Sequence, residues 1–219
     1  MKKLRFYDYM RSAHVKRWHI VSTIHNQSLA EHQFLVMMIA LELFENMVGQ
    51  DVDAYVHLQL AMMAAFHDMP ETRTGDIPTP AKAEIRGMLS KTDGPDVFKG
   101  IEHRLMPEVP YTMEPWPNEE SDDLLPKIVK MADMIADAWW ITENAMGIHG
   151  NMVAKGNVQA MMKYASQLDD IEASKRLTAK LEGRELPVDE ERYWVKNVNA
   201  ILQELGMPYI SVSLRETPP

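Results

Sequence analysis

The sequence predicts an all-α protein, and three observations support this fold class. Apolar residues recur at intervals of three and four over long stretches, as they do along one face of an amphipathic helix. No stretch of any length alternates apolar and polar residues as a strand would. The chain has 219 residues, of which 46% are hydrophobic, so it can form one domain with a substantial core. We therefore expect a bundle of roughly six to eight helices.

The first long helix is predicted over residues 27–48. Asn26, Gln27 and Ser28 offer polar side chains that can cap its beginning, and Gly49 can end it. We expect the core-facing side to be formed by its periodic apolar residues, which are Leu29, Phe34, Val36, Met37, Ile39, Ala40, Leu43 and Met47.

A second helix is predicted over residues 52–67, and Pro70 interrupts the pattern after it. Its inward face should contain Val56, Leu60, Met63, Ala64 and His67. A loop is expected at residues 74–80, because two prolines and a glycine disfavour helix there. Thr79 can then cap a short helix at residues 80–90, which would have a proline at its first position.

The second half of the chain is predicted to contain three further helices. They cover residues 125–146, about 151–182, and 188–205, the last ending at Gly206. The first of these should turn inward Ile128, Met131, Ala132, Ile135 and Trp139. Residues 91–96 and 106–121 are rich in Pro, Gly and Asp and are expected to be loops. The tail, residues 211–219, is expected to be extended or disordered.

The composition excludes several classes of function. The net charge is −9, so the chain should repel a phosphate backbone, and we expect no nucleic-acid polymer as a partner. There is no cysteine, which excludes disulfides, thiolate nucleophiles and zinc–thiolate sites. The N-terminus lacks the apolar segment of a signal peptide, and no stretch approaches the about 20 apolar residues that cross a membrane. We therefore expect a cytoplasmic protein with no membrane partner.

The residues that point most clearly to chemistry are His32, the pair His67 and Asp68, and Asp133. Two imidazoles and two carboxylates suit one divalent metal ion, if the helices bring them together. Taken singly, His32 in the middle of a helix is more typical of a hydrogen-bonded core histidine. Asp133 stands among apolar residues and is costly to bury unless it is paired. It could also be a solvated position, with Asp137 one turn later as its rival.

The combination of motifs resembles the HD-domain phosphohydrolase superfamily. The closer similarity is to its 5′-deoxynucleotidase branch, which includes viral dATP triphosphohydrolases. The residues that carry the resemblance are Arg17 and Trp18, then SLAEH at 28–32, HDMPE at 67–71, TGDIPTP at 74–80, and KMAD at 130–133. They cover about residues 10–145. The resemblance implies a single HD domain over residues 1–219, with this motif-bearing core and C-terminal helices at about 151–205. For a viral enzyme the compartment would be the host cytoplasm.

The resemblance implies that His32, His67, Asp68 and Asp133 hold the metal, with Asp68 also counted as catalytic. Nitrogen and oxygen ligands without thiolate suit Mn, Co, Fe, Zn or Mg, and the sequence does not choose among these. Glu71 follows His67 by four residues and would share its face if the helix continued. In the resembling enzymes this glutamate supports the attacking water or a second ion, so we assign it as general base. Its alternative is an ordinary surface glutamate.

The resemblance also implies the substrate contacts. Arg17 offers a planar fork of donors to phosphate oxygens, although it could be a surface arginine beside Lys16. Trp18 would lie against the nucleoside, and Asp76 would accept a hydrogen bond from the 3′-hydroxyl. Together Trp18 and Asp76 would disfavour a ribose 2′-hydroxyl. Weaker candidates for contacts with phosphate, sugar or base are Thr74, Lys82 and Pro78.

Two substrates remain open, because both groups of enzymes share almost all of these residues. One group removes phosphate from deoxynucleoside monophosphates. The other, from viruses that replace adenine with 2-aminoadenine, removes the triphosphate from dATP. The segment RWHI at 17–20 resembles the second group. Ile20 near purine C2 would tolerate hydrogen and clash with a 2-amino group, so we favour a dATP triphosphohydrolase that spares 2-amino-dATP. Burial of Ile20 in the core is the equally good alternative.

Other classes of protein remain as alternatives. A haemerythrin-like iron protein also uses helical histidines and carboxylates, but it needs more histidine pairs and does not explain Arg17 and Trp18. A regulatory HD module that only binds nucleotides would not need Glu71. A cyclic-dinucleotide phosphodiesterase should carry a Gly-Tyr-Pro motif, which is absent.

The resemblance also implies a homo-oligomer, which would be a dimer or larger. The apolar helices after residue 122, with Trp139 and Trp140, could supply its interface.

Overall fold

The computed structural model describes residues 6–49, 52–89, 97–105, 124–181 and 193–207. Within these ranges the chain forms helices and no strand, which confirms the all-α class. The helices are α1 (Phe6–Arg11), α2 (Leu29–Val48), α3 (Ala54–Phe66), α4 (Glu71–Thr74), α5 (Thr79–Leu89), α6 (Val97–Leu105), α7 (Leu124–Asn144), α8 (Gly147–Leu181) and α9 (Trp194–Glu204). None of the helices in these ranges is long and apolar enough to cross a membrane.

Helix α2 begins and ends where its capping residues predict. The side chain of Ser28 accepts a hydrogen bond from the backbone N–H of Glu31, and the Glu31 carboxylate accepts one from the backbone of Ser28 in return. Gly49, with φ of +94°, ends the helix. His32 is the fourth residue of α2, so the expectation that it lies in mid-helix is wrong. The capped first turn therefore carries one of the candidate metal ligands.

The core lies between α2, α3, α7 and α8, with α9 packed across α8 and α2. The predicted inward faces of α2, α3 and α7 are largely buried, and Trp194 of α9 is fully enclosed. Phe34 is an exception because its side chain is 59% exposed. It lies in an outward stripe of α2 with Met38 and Glu42, each one turn further along, so the apolar pattern overstated the buried face.

Three helices were not predicted, namely α1, α4 and α6. The first two are only 6 and 4 residues long, too short to show periodicity. The predicted helices at 80–90, 125–146 and 151–182 are confirmed to within a few residues. The structure does not describe the loops expected at 91–96 and 106–121, the tail, or the first residues of the 188–205 helix.

The segment before α2 is joined to the start of that helix by backbone contacts. Lys16 and Ser28 form an isolated antiparallel bridge, and the Leu29 N–H donates to the carbonyl of Val15 at 3.0 Å. The Arg17 N–H donates to the carbonyl of Gln27 at 2.9 Å. Arg17 and Trp18 are thereby held beside the end of α2 that carries His32.

Candidate metal centre and nucleotide site

The four side chains predicted to bind metal meet in one place. His32 comes from α2, His67 and Asp68 directly follow α3, and Asp133 comes from α7. One ligand atom from each lies within 4.8 Å of the other three. His32 Nε2 is 3.1 Å from Asp133 Oδ1, and His67 Nε2 is 3.2 Å from Asp68 Oδ2. Four nitrogen and oxygen donors at this separation can share one divalent ion.

The unsatisfied nitrogens of the two imidazoles fit a bound cation better than they fit the neighbouring carboxylates. His67 Nδ1 lies 2.7 Å from the carbonyl of Ala64, to which it donates a hydrogen bond, so Nε2 is the ring nitrogen that faces the carboxylates. His67 Nε2 and His32 Nε2 are buried and lack an aligned hydrogen-bond partner, despite carboxylate oxygens at 3.1 to 3.8 Å. Buried polar atoms normally have partners, so a bound ion explains this arrangement.

Electrostatics in the cluster favour ionised carboxylates. Burial raises the pKa of Asp68, but His67 and Arg17 outweigh it and hold that pKa well below its ordinary value. Burial likewise opposes ionisation of Asp133, and Lys130, His32 and His67 together keep its pKa low. The two aspartates in turn raise the pKa of His67 despite its burial. The carboxylates are therefore ready to bind a cation without first losing protons.

Arg17 is buried between two carboxylates. Its Nη1 donates to Asp68 Oδ2 at 3.0 Å, and its Nη2 donates to Asp137 Oδ1 at 2.9 Å. Its burial lowers its pKa, but Asp137 and Asp68 more than compensate, so the guanidinium stays charged. Its Nε is buried without a partner. The alternative of a surface arginine is thus removed, and one donor of the guanidinium is still unsatisfied.

Glu71 is also buried, which removes the alternative of a surface glutamate. It begins α4, one turn after His67, and its Oε1 accepts a hydrogen bond from Lys82 Nζ at 3.1 Å. Its Oε2 is buried without a partner. Burial and the nearby charge of Asp68 raise the pKa of Glu71 to about 8, against the opposing effect of Lys82. A carboxyl group with a pKa near neutrality suits proton transfer.

Trp18 adopts an unusual backbone conformation, with φ of +61°, which is strained for a bulky residue. Its indole stacks on Trp140 of α7, with ring centroids 5.8 Å apart and planes 7° from parallel. Its Nε1–H donates to Gln27 Oε1 at 2.9 Å. The Trp18 ring is partly exposed, and these two contacts fix its face and its edge. Trp18 directly follows Arg17 in the sequence.

The remaining substrate candidates are less closely connected to the candidate metal ligands. Asp76 and Pro78 are half-buried in the short loop between α4 and α5, and Asp76 is near enough to Glu71 to raise its pKa. Thr74 is exposed and its hydroxyl donates to the carbonyl of Gly75. Ile20 is 54% exposed, so its alternative of burial in the core is wrong.

Several residues of the site were not assigned by the sequence. Asp137 was considered only as a rival of Asp133, yet it lies one turn later on α7 and approaches both Arg17 and His32 Nδ1, the latter at 3.5 Å. Its i+4 spacing was the available signal. Gln27 was considered only as a helix cap. Lys130 Nζ donates to Asp133 Oδ2 at 3.1 Å, and this contact follows from their i,i+3 spacing.

Comparison with known proteins shows the family of this chain and several of its relatives. Residues 5–162 match the family described as 5′-deoxynucleotidase YfbR-like. A dATP triphosphohydrolase of Salmonella phage PMBT28 is 29% identical over 164 residues, which are 73% of this chain and 77% of the relative. The 5′-deoxynucleotidase YfbR of Escherichia coli O127:H6 is 28% identical over 177 residues, 74% of this chain and 84% of that protein.

A solved structure shows the same fold. It is the Cyanophage S-2L HD phosphohydrolase bound to dA and one catalytic Zn²⁺ ion. The TM-score is 0.62 at 22% sequence identity, and the match covers 93% of this chain and 99% of that one. The helical fold and the His/Asp cluster define an HD-domain phosphohydrolase. Within that class, this chain belongs to the 5′-deoxynucleotidase YfbR-like family.

Proposed function

We propose that this protein is a metal-dependent phosphohydrolase of deoxynucleotides, and that its preferred substrate is dATP, from which it removes the triphosphate. The observation that carries the proposal is the convergence of His32, His67, Asp68 and Asp133 on one point. A family member with these donors has the means to bind a divalent ion beside a phosphate. When bound, such an ion lowers the pKa of water and offsets phosphate charge.

The two substrate alternatives share one chemical step. Water attacks the α-phosphorus, the bond from that phosphorus to O5′ breaks, and the 5′-oxygen leaves with a proton. With a monophosphate the products are the deoxynucleoside and phosphate, and with dATP they are deoxyadenosine and triphosphate. The site therefore has to recognise what is attached to the α-phosphate, while the reacting bond is the same in both cases.

The residues of the chain can divide this work. Arg17, with its unsatisfied Nε, would donate to a phosphate oxygen and carry positive charge beside it. Glu71, with its unsatisfied Oε2, would accept the proton of the attacking water. Its raised pKa belongs to the chain without a cation, and positive charge nearby lowers it toward the ionised form that a base requires. Lys82 would hold Glu71 in place through its contact with Oε1.

The preference for dATP is supported by Ile20. The exposed side chain of Ile20 lies two residues after Trp18, where it is available to a ligand. We expect the Ile20 side chain to leave room for a hydrogen atom at purine C2 and to clash with a 2-amino group. Contacts of Trp18 and Asp76 with the sugar would favour deoxyribose.

The test is to incubate the metal-loaded protein with dAMP, dATP and 2-amino-dATP and to identify the products. We expect deoxyadenosine and intact triphosphate from dATP, and little reaction with 2-amino-dATP. Rapid release of phosphate from dAMP with dATP untouched would reject the dATP preference and favour the 5′-deoxynucleotidase. An Ile20→Ala variant should gain activity on 2-amino-dATP, because the β-branched side chain no longer blocks the amino group.

The setting of the reaction is also part of the proposal. A small charged substrate and an acidic protein are consistent with a cytoplasmic enzyme that does not bind nucleic-acid polymers.

We further propose that the chain assembles as a homo-oligomer of two or more copies. Light scattering coupled to gel filtration would measure the mass in solution, and a monomer at micromolar concentration would reject the assembly.

A further inference from the structure

Gln27 connects the two residues that the proposed function places against phosphate and sugar. Its backbone carbonyl accepts the N–H of Arg17, and its side-chain carbonyl accepts the indole N–H of Trp18, both at 2.9 Å. The Gln27 side chain is only 1% exposed, and its Nε2 is buried without a partner. Burial of the Gln27 amide destabilises the fold, because its Nε2 donor is unsatisfied. The hydrogen bonds that its two carbonyls accept have to offset this cost.

Trp140 provides the second restraint on Trp18. The two indoles are nearly parallel, and Trp140 is 8% exposed, so it forms a rigid surface behind the Trp18 ring. Trp140 lies on α7, the helix that also carries Asp133 and Asp137. The stack therefore ties the Trp18 ring to the same element that supplies one of the candidate ligands.

The restraint is needed because the backbone of Trp18 is strained. With φ of +61°, it is the one non-glycine residue with positive φ in the described ranges. Such a conformation is unfavourable for a bulky residue and persists only when its surroundings enforce it. Backbone hydrogen bonds from the Arg17 N–H to Gln27 and from the Val21 N–H to Trp18 hold the chain here. The hydrogen bond to Gln27 and the stack on Trp140 then fix the ring that this backbone carries.

We propose that Gln27 and Trp140 are positioning residues for sugar discrimination: together they hold the Trp18 ring where it excludes a ribose 2′-hydroxyl. This inference rests on the proposed function, in which Trp18 contacts the nucleoside. Neither residue needs to touch the substrate. A ring free to rotate about χ1 would leave room for the hydroxyl, so loss of either restraint should relax the preference for deoxyribose more than it slows hydrolysis.

The test uses Gln27→Met, which keeps the length of the side chain and removes the acceptor, and Trp140→Leu, which removes the stack. For each metal-loaded variant, kcat/KM is measured on a deoxynucleotide that the wild type hydrolyses and on its ribonucleotide counterpart. We expect the deoxy-to-ribo ratio to fall about tenfold, as for the loss of one ordering hydrogen bond. Trp139→Leu is the matched control, because it removes a partly buried indole from the adjacent position of α7.

A double-mutant cycle separates positioning from a general effect on folding. If Gln27 acts through Trp18, the variant Trp18→Phe/Gln27→Met should have the same ratio as Trp18→Phe alone. Additive effects, or an unchanged ratio in both single variants, would overturn the inference. Circular dichroism supplies a readout independent of activity, because stacked indoles give an exciton couplet. The couplet should be lost in Trp140→Leu and in Trp18→Phe, and kept in Trp139→Leu.

Failure of the two proposals can be told apart. If the wild type hydrolyses no deoxynucleotide, the proposed function is wrong and this inference falls with it. If the wild type hydrolyses deoxynucleotides and prefers them, but the Gln27→Met and Trp140→Leu variants keep that preference, only the positioning role is wrong.

Discussion

Arg17 and Asp68 form an ion pair through the carboxylate oxygen that also faces both histidines. Asp68 Oδ2 is 3.0 Å from Arg17 Nη1, 3.2 Å from His67 Nε2 and 3.6 Å from His32 Nε2. Without a cation, the guanidinium is thus one of the charges that compensate this carboxylate. A bound ion and Arg17 would share the charge of Asp68, and Arg17 would then have donors available for a phosphate.

Replacement of Arg17 by Ala should lower kcat/KM about ten- to a hundredfold, the effect of one charge-assisted hydrogen bond. Metal affinity should be kept or increase, because a positive charge that repels the ion has been removed. Steady-state kinetics and metal content after dialysis would measure both. Lys16→Ala is the control, since Lys16 is the exposed neighbour. Loss of metal in Arg17→Ala would show that its main role is to orient Asp68.

Replacement of Asp68 by Ala should abolish both bound metal and turnover. The variant loses one of four donors and the charge that balances the ion, and Arg17 then loses one of its two carboxylate partners. Elemental analysis and product formation from dATP would test this. Asp170→Ala, on the exposed side of α8, should leave both unchanged. Retained activity in Asp68→Ala would remove the metal centre from the mechanism.

Glu71 should make the metal-free protein less stable as the pH rises. Its folded pKa of about 8 lies above the ordinary carboxyl value, so the folded state binds the extra proton between about pH 4.5 and 8. Stability from this group is complete below that window and is lost as the pH rises through it. Other groups of the site titrate as well, and comparison with Glu71→Gln isolates the effect.

We therefore expect the Tm of the metal-free wild type to fall relative to that of Glu71→Gln between pH 5 and pH 8, because folding raises the pKa of Glu71 from 4.5 to about 8. Thermal unfolding followed by circular dichroism at several pH values gives the difference. A constant difference across this range would mean that Glu71 is ionised throughout. In the metal-loaded protein the same variant should lose most turnover, because an amide cannot accept the proton of water.

The sequence predicted the parts of the site that depend on local pattern. His32, His67, Asp68 and Asp133 occur in recognisable motifs, and the structure brings them together, while their roles as ligands and those of the substrate contacts stay predictions. Contacts across long separations were not predictable. The pairing of Asp8 with Arg73, which joins α1 to α4, spans 65 residues and involves two ordinary surface residue types.

The strain at Trp18 was equally invisible in the sequence. A positive φ at a tryptophan follows from no propensity, since bulky residues avoid it. Phe34 shows the opposite error, because periodicity assigns a hydrophobic residue to the core even when it lies on the outward stripe. Patterns thus locate helices and their chemistry, whereas tertiary contacts decide which side chains are buried or strained.

The cap of α2 links stability to the site, because His32 lies in the capped first turn. Ser28→Ala removes the acceptor for the Glu31 N–H and one donor to its carboxylate, and should lower the free energy of unfolding by about 1 kcal/mol. The fraying of this turn should also weaken metal binding, since His32 has to be reordered when the ion binds.

Chemical denaturation with and without metal would measure both effects of Ser28→Ala. Asp53→Ala is the matched control, because Asp53 caps α3 through the Tyr55 N–H at the helix end remote from His67. Both variants should lose similar stability in the metal-free state, but only Ser28→Ala should show reduced metal affinity. Equal metal affinities in the two variants would mean that the α2 cap stabilises the fold without ordering His32, whose position would then depend on core packing.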